Sequence, residues 1–340
     1  MSETSYAVLT RAKAKFGKRL RDKDYKALLD CENVAEVMAY LKSNTHYINA
    51  FGEANERGIR RGLFENLLKQ YMTNEFDILS RYELSVGEAF STYIAHKTEI
   101  DEIVRILTTL NSTERDKEQF HFTVPAHMAK KTTIDLNKLA DAQDFDQFLA
   151  AVKRTKYEEI LKGYSLPLPV SEIENKLYIG LYKDLYKAIG KAGLTEAKEL
   201  KDLFDTIIDY KNFISIIRLK KYYNSDPKMI RKHLLPFGSL SEKALVEMCT
   251  ADDADGVFTA MCKTRTGKLI EKIDYNDIGE LINRVEFRKA KHNMYLSDSP
   301  STVMMSYIIL CEIELHNLIC IIEGARYNVD KNKIEKLLIY

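Results

Sequence analysis

The chain has 340 residues, with 51 Lys+Arg against 50 Asp+Glu and a net charge of +1, so its bulk charge gives no reason to expect nucleic acid as a partner. It has only 14 Gly and 6 Pro among many Lys, Glu, Leu, Ala and Ile, a composition that favours long helices. Five cysteines, Cys31, Cys249, Cys262, Cys311 and Cys320, form no CxxC pair, and they read as reduced, mostly buried thiols of a cytosolic protein.

The start, Met1 to Ser5, has no apolar core of signal-peptide type, so no targeting segment is expected. A first helix is predicted over Ser5–Leu20 from the spacing of Leu9, Ala12, Phe16 and Leu20. Its other faces carry Arg11, Lys13, Lys15, Lys18 and Arg19, which read as a solvated face or as a surface for an acidic partner. Short helices are expected over Tyr25–Asp30 and Val34–Leu41, then two long ones near Asn55–Tyr82 and Val86–Leu110.

A polar connection follows over Asn111–Lys131, in which His121 to Pro125 is too short to count as a strand. Further breaks fall at Gly163–Pro169, Asn224–Pro227, Pro236–Gly238 and Ser297–Pro300, because proline cannot donate inside a helix. Ser171 with Glu174 three residues on reads as a capping box. The longest apolar run, near Val303–Cys311, is interrupted by Ser306 and falls short of the roughly 18–20 residues that a spanning helix needs.

The main internal signal is repetition. Leu28 and Leu139 are 111 residues apart, Val37 and Phe148 are 111 apart, and Tyr47 and Tyr157 are 110 apart. A weaker third copy places Leu245, Val257, Met261 and Thr264 about 105–109 residues after their second-copy counterparts. The second half of each unit repeats too: Glu99–Leu107 matches Asp209–Ile217, which matches the stretch from Leu315 to Ile322. Each unit is two short helices followed by a long pair, and the natural divisions are 1–115, 116–225 and 226–340.

The chemical motifs fail on inspection. Thr264-Arg-Thr-Gly267-Lys268 looks like the tail of a phosphate loop, but Cys262 stands where the first Gly is needed and Leu269 where Ser or Thr is needed. Asp252-Asp253-Ala-Asp255-Gly256 resembles part of a calcium loop whose first and last carboxylates would be Ala251 and Cys262. Asp252-Asp253 is also the one candidate for holding magnesium, and no second acidic cluster answers it. The histidines His46, His96, His121, His127, His233, His292 and His316 form no metal spacing, and no Ser/His/Asp set can be assembled. The expectation is therefore no catalytic residue, no cofactor, no metal and no bound nucleotide. Arg218, Lys220 and Lys221 remain as a basic cluster that either meets a helix C-terminus or faces a partner.

The opening Tyr6-Ala-Val-Leu-Thr-Arg11-Ala-Lys-Ala, then Asp24-Tyr-Lys-Ala-Leu28-Leu29 and Val34 to Leu41 with Thr45-His-Tyr47, resembles the start of the C subunits of V/A-type ATPases, whose eukaryotic relatives are the d subunits of the vacuolar proton pump. The closing Leu315-His-Asn317-Leu318 to Tyr327 is similar to that family's last helix. The resemblance implies an all-α protein with three similar domains around a pseudo-threefold axis, shaped as a funnel. It implies a non-catalytic central-rotor part, peripheral on the cytoplasmic face of the membrane. Its open side would be a socket for the D and F subunits of the central shaft, with charged and Tyr-rich inner walls. Its narrow side would sit on the proteolipid ring, passing torque for ion translocation. The alternative is a helical-repeat scaffold that binds some other protein in its concave face.

Overall fold

A computed structural model describes residues 3–52, 59, 61–83, 86–111, 132–223, 225–270 and 278–340. Seventeen α-helices and one 3₁₀ turn account for its regular structure, with no strand among the described residues. In chain order the helices are α1 (Glu3–Phe16), α2 (Asp22–Leu29), α3 (Val34–Asn44), α4 (Ile48–Phe51), α5 (Arg61–Tyr82) and α6 (Gly87–Asn111). Next come α7 (Leu136–Ala140), α8 (Phe145–Ala151), α9 (Glu158–Leu161), α10 (Val170–Ile189) and α11 (Leu194–Tyr223). The last are α12 (Pro227–Lys232), α13 (Glu242–Thr250), α14 (Ala254–Cys262), α15 (Ile278–Leu296), α16 (Pro300–Arg326) and α17 (Lys331–Leu337), with the 3₁₀ turn at Gly267–Leu269. The expected Asn111–Lys131 connection, the possible strand at His121–Pro125 and the 115/116 division lie outside the described residues.

The long helices pack in a closed order. Three sequential pairs, α5 with α6, α10 with α11 and α15 with α16, alternate with contacts between pairs: α6 with α10, α11 with α15, and α16 back onto α5. Helix α1 lies against both α16 and α5, across the last of these joins. Each second long helix then supports the short helices that come next in the order: α6 holds α7, α11 holds α12 to α14, and α16 holds α2 and α3.

The short-helix modules repeat bond for bond. Asn33, Asp144 and Asp253 are N-caps of α3, α8 and α14, each accepting the backbone N–H three residues on, from Glu36, Gln147 and Gly256. Thr45, Thr155 and Thr264 each donate a hydroxyl back to the preceding turn, to the carbonyls of Leu41, Val152 and Met261. Each hydroxyl then accepts an onward backbone N–H, from Tyr47, Tyr157 and Gly267. The weak third copy in the sequence keeps both the cap and the Thr turn in its hydrogen bonding.

A buried acid joins each module to its long helix. Glu99 on α6 accepts Thr133 N–H, Ile134 N–H at 3.1 Å and the Tyr157 hydroxyl at 2.5 Å. Asp209 on α11 accepts Ser239 N–H at 2.8 Å, Leu240 N–H at 3.1 Å and the hydroxyls of Ser239 and Thr266 at 2.6 and 2.8 Å. Glu314 on α16 accepts Leu20 N–H at 3.2 Å and the Tyr47 hydroxyl at 2.7 Å, and pairs with Arg19 at 3.0 Å. These three acids occupy equivalent places in the repeat, and all are buried. Asn212 and Asn317, 105 residues apart, each brace a backbone N–H and a C=O further along, in Leu235 and Ile339.

Three expectations need correction. Helix α10 begins at Val170 with Pro169 as its unbonded N-cap, so Ser171 and Glu174 form no capping box. Of the cysteines only Cys249 is fully buried, while Cys262 is exposed and the other three are intermediate. Helix α16 is long and apolar enough to cross a membrane, contrary to the reading of its sequence. Packing explains its character, because α1, α5, α11 and α15 cover it and 72% of its most apolar stretch is buried inside the protein.

Asp209→Ala would leave the backbone N–H groups of Ser239 and Leu240 without their acceptor. We expect a loss of about 3 kcal/mol in urea unfolding, the usual range for breaking a buried charged network. A loss under about 1 kcal/mol would show that the acid is not what joins α11 to the following module.

Candidate partner-binding recess

Polar side chains on the long helices face inward beside core residues such as Phe204, Ile207 and Ile308. Lys97 and Asp101 are four residues apart on α6, and Tyr178 and Tyr182 are four apart on α10, so each pair shares a face. Lys97 Nζ donates to both carboxylate oxygens of Glu312 on α16, at 2.8 and 2.9 Å. The Tyr178 hydroxyl donates to Asp101 at 2.7 Å, and Lys211 on α11 lies 5.6 Å over the Tyr178 ring. Tyr178 stacks on Tyr182 at 6.1 Å.

These groups surround two adjacent hollows. The smaller, about 50 Å³, is walled by Lys97, Tyr182, Lys211, Glu286 and Glu312, among others. The larger, about 340 Å³, is walled by Lys69, Phe76, Asp101, Arg105, Ile308 and Glu312, among others. Ile94, Ile308 and Glu312 line both, so together the hollows draw on all six long helices. Asp101 is exposed to water although protein crowds it, which is the signature of a concave wall.

The crowding shows in the ionisation of the wall. Burial pushes the Asp101 carboxyl up, against the pull of Lys97 and the Tyr178 hydrogen bond. Burial likewise pushes Glu286 up, opposed by Lys211 and Lys97. For Lys97 burial alone would lower the ammonium, but Glu312 and Asp101 outweigh it and hold it above the usual lysine value. The recess thus carries mixed, fixed charges in a concave setting, suited to selecting a partner by charge pattern.

The basic cluster expected from sequence divides. Lys220 Nζ donates to the carbonyl of Ala251, the C-cap of α13, at 2.5 Å, so it meets a helix C-terminus. Arg218 and Lys221 are exposed, and Lys221 lies 5.6 Å over the Tyr222 ring. Arg218 is seven residues past Lys211, on the same face of α11, and its charge reaches Glu174 on the recess side of α10. The failed motifs also find their places: Asp253 is an N-cap, and Gly267 lies against backbone, where an added Cβ would sit 1.8 Å from the Met261 carbonyl oxygen. No group of His, Cys, Asp or Glu among the described residues is arranged to hold a metal.

Sequence reading missed the recess residues themselves, since Lys97, Asp101, Lys211, Glu286 and Glu312 look in a single helix like an ordinary solvated face. The family comparison then decides what kind of protein presents this recess. Residues 8–337 match the model of the ATP synthase (C/AC39) subunit family. The chain belongs to that family. It is similar to the A-type ATP synthase C subunit of Methanosarcina mazei, at 26% identity over 99% of this chain and 93% of the relative. It is similar to the same protein of Methanosphaera stadtmanae, at 22% identity over 97% of this chain and 86% of the relative. The match to the Pyrococcus furiosus relative, at 25% identity, spans 60% of this chain and 58% of that protein. The chain is thus a C-type subunit of an A/V-type ATP synthase, a non-catalytic part of a membrane-associated complex whose partners are the other subunits.

Two outcomes follow from the recess. The side chains of Lys97 and Glu312 are 28% and 38% exposed, so solvent screens their attraction. A double-mutant cycle with Lys97→Met and Glu312→Gln should give a coupling of about 1 kcal/mol or less that falls further in 0.5 M salt; a coupling of several kcal/mol would contradict a solvent-screened pair. Glu286 holds its proton more tightly folded than unfolded, so wild-type stability falls as pH rises through the raised value. Glu286→Gln should therefore be the more stable protein at pH 7–8, with the gap narrowing toward pH 4, in thermal melts across that range.

Proposed function

We propose that this chain is the non-catalytic central-rotor coupling part of an A/V-type ATPase or ATP synthase. Its three helical units, 1–115, 116–225 and 226–340, form a pseudo-threefold funnel. The recess is a socket for the lower end of the central shaft, made of the D and F subunits, and the opposite narrow side sits on the proteolipid ring at the cytoplasmic face of the membrane. The observation that carries this reading is a charged, Tyr-lined recess walled by all six long helices of a closed packing order. A part that passes torque must resist twisting, and six helices with no open end in their packing, joined by one apolar core, do so. The polar wall favours a partner seated by charge pattern and shape, which can be assembled and removed. Arg218 and Lys221 extend this partner-facing surface at the end of α11, while Lys220 serves the fold.

The test is binding of the purified D and F shaft proteins, followed by pull-down of the tagged chain from its native membranes in mild detergent. Lys211→Glu with Arg218→Glu should weaken shaft binding about tenfold or more, given about 1.4 kcal/mol per decade, with no change in far-UV circular dichroism. Capture of unrelated soluble proteins, with neither shaft nor ring component, would sink the coupling role and favour a scaffold that binds another protein in its concave face.

A further inference from the structure

The basic stretch from Lys13 to Lys23 plays no part in the central recess. It ends α1, turns through Gly17–Arg21 and starts α2, and there it walls a crevice of about 640 Å³. That volume lies in the ordinary range of small-ligand sites. Lys15, Lys18, Arg19, Arg21 and Lys23 line it, against two carboxylates, Asp24 and Glu75.

Both acids are already engaged. Glu75 pairs with Lys15, and Asp24 accepts the Arg21 backbone N–H at 2.9 Å and the Tyr40 hydroxyl at 3.0 Å. Arg19 is held by buried Glu314 and by the Leu310 carbonyl. Lys18 and Lys23 have no acidic partner among the described residues, and the Arg21 guanidinium makes one long bond, to the Gly17 carbonyl at 3.3 Å. All three are exposed at the crevice. Positive charge gathered in a concave site concentrates the field on whatever enters it.

The free cations stand on both sides of the helix break, Lys18 after α1 and Arg21 and Lys23 at the start of α2. Two linked anionic groups would offer acceptors to the cations on both sides of the break. His46, also on the wall, is kept below its usual imidazole value by burial, so the positive charge comes from Lys and Arg and persists through neutral pH.

We propose that this crevice binds a ligand carrying two or more phosphate groups, free in solution or as the headgroup of an anionic lipid. Its occupant would tie α1 to α2 beside the Arg19–Glu314 pair, which holds the turn between them against α16. The site is independent of the coupling role, since it uses none of the recess residues.

Isothermal titration of the full chain with sodium pyrophosphate tests it. We expect saturable binding that weakens at least tenfold in Lys18→Glu/Lys23→Glu and on raising salt from 50 to 300 mM. Exposed Lys228→Glu/Lys232→Glu on α12 serves as a control and should bind like wild type. Co-sedimentation with cardiolipin vesicles, against pure phosphatidylcholine, separates the sources: retention on cardiolipin without pyrophosphate binding assigns a lipid headgroup, and pyrophosphate binding assigns a free ligand. No binding to either probe, or a Lys18/Lys23 variant that binds like wild type with circular dichroism unchanged, would overturn the site.

Discussion

A carboxylate sealed inside each repeat is the constraint on which the architecture turns. Glu99, Asp209 and Glu314 are each buried on a long helix, where an unpaired negative charge would be prohibitively costly. Each is tolerated because the start of a short-helix module supplies backbone N–H groups and a hydroxyl from its far end. The module is thereby fixed at two points, its entry and its Thr turn, with the acid as the common acceptor. Apolar packing alone would hold the same helices together but would fix their register less sharply, since it is non-directional.

The three joints are alike in donors but differ in what connects them. Glu99 and Asp209 hold modules that follow within 58 residues along the chain, so the backbone keeps those partners near. Glu314 must gather Leu20 and Tyr47 from the other end of the sequence. That joint alone among the described residues carries a cation, Arg19, and α1 lies along α16 and α5 beside it. The long-range closure, with the larger loop entropy to overcome, has the extra ion pair and the extra helix.

Much of this was legible in the sequence, because the period of 105–111 residues marks the modules and helix periodicity marks the long pairs. The weak third copy illustrates the limit. Its apolar residues drift, yet Asp253 and Thr264 keep the cap and the turn, and those polar residues are the ones that a reader searching for chemistry takes for fragments of metal and phosphate loops. The capping box at Ser171 failed because Pro169, with φ fixed near helical values, stands as the N-cap and starts the helix two residues sooner than the serine would. The apolar length of α16 was underrated because Ser306 interrupts it. In the fold that serine is fully buried and accepts a hydrogen bond from Asn293, so it costs the helix little.

The recess was illegible for a different reason. A lysine or aspartate on a long amphipathic helix has the same local sequence whether it faces bulk water or a partner, and only the convergence of several helices distinguishes the two. Lys97, Lys211, Glu286 and Glu312 come from four helices, and the charges of Lys211, Lys97 and Glu312 bear on the ionisation of Glu286 because the ring brings them together. The proposed coupling role asks for a separation of roles: the permanent contacts are buried acids bonded to backbone, and the exchangeable ones would be the charges on the inner wall.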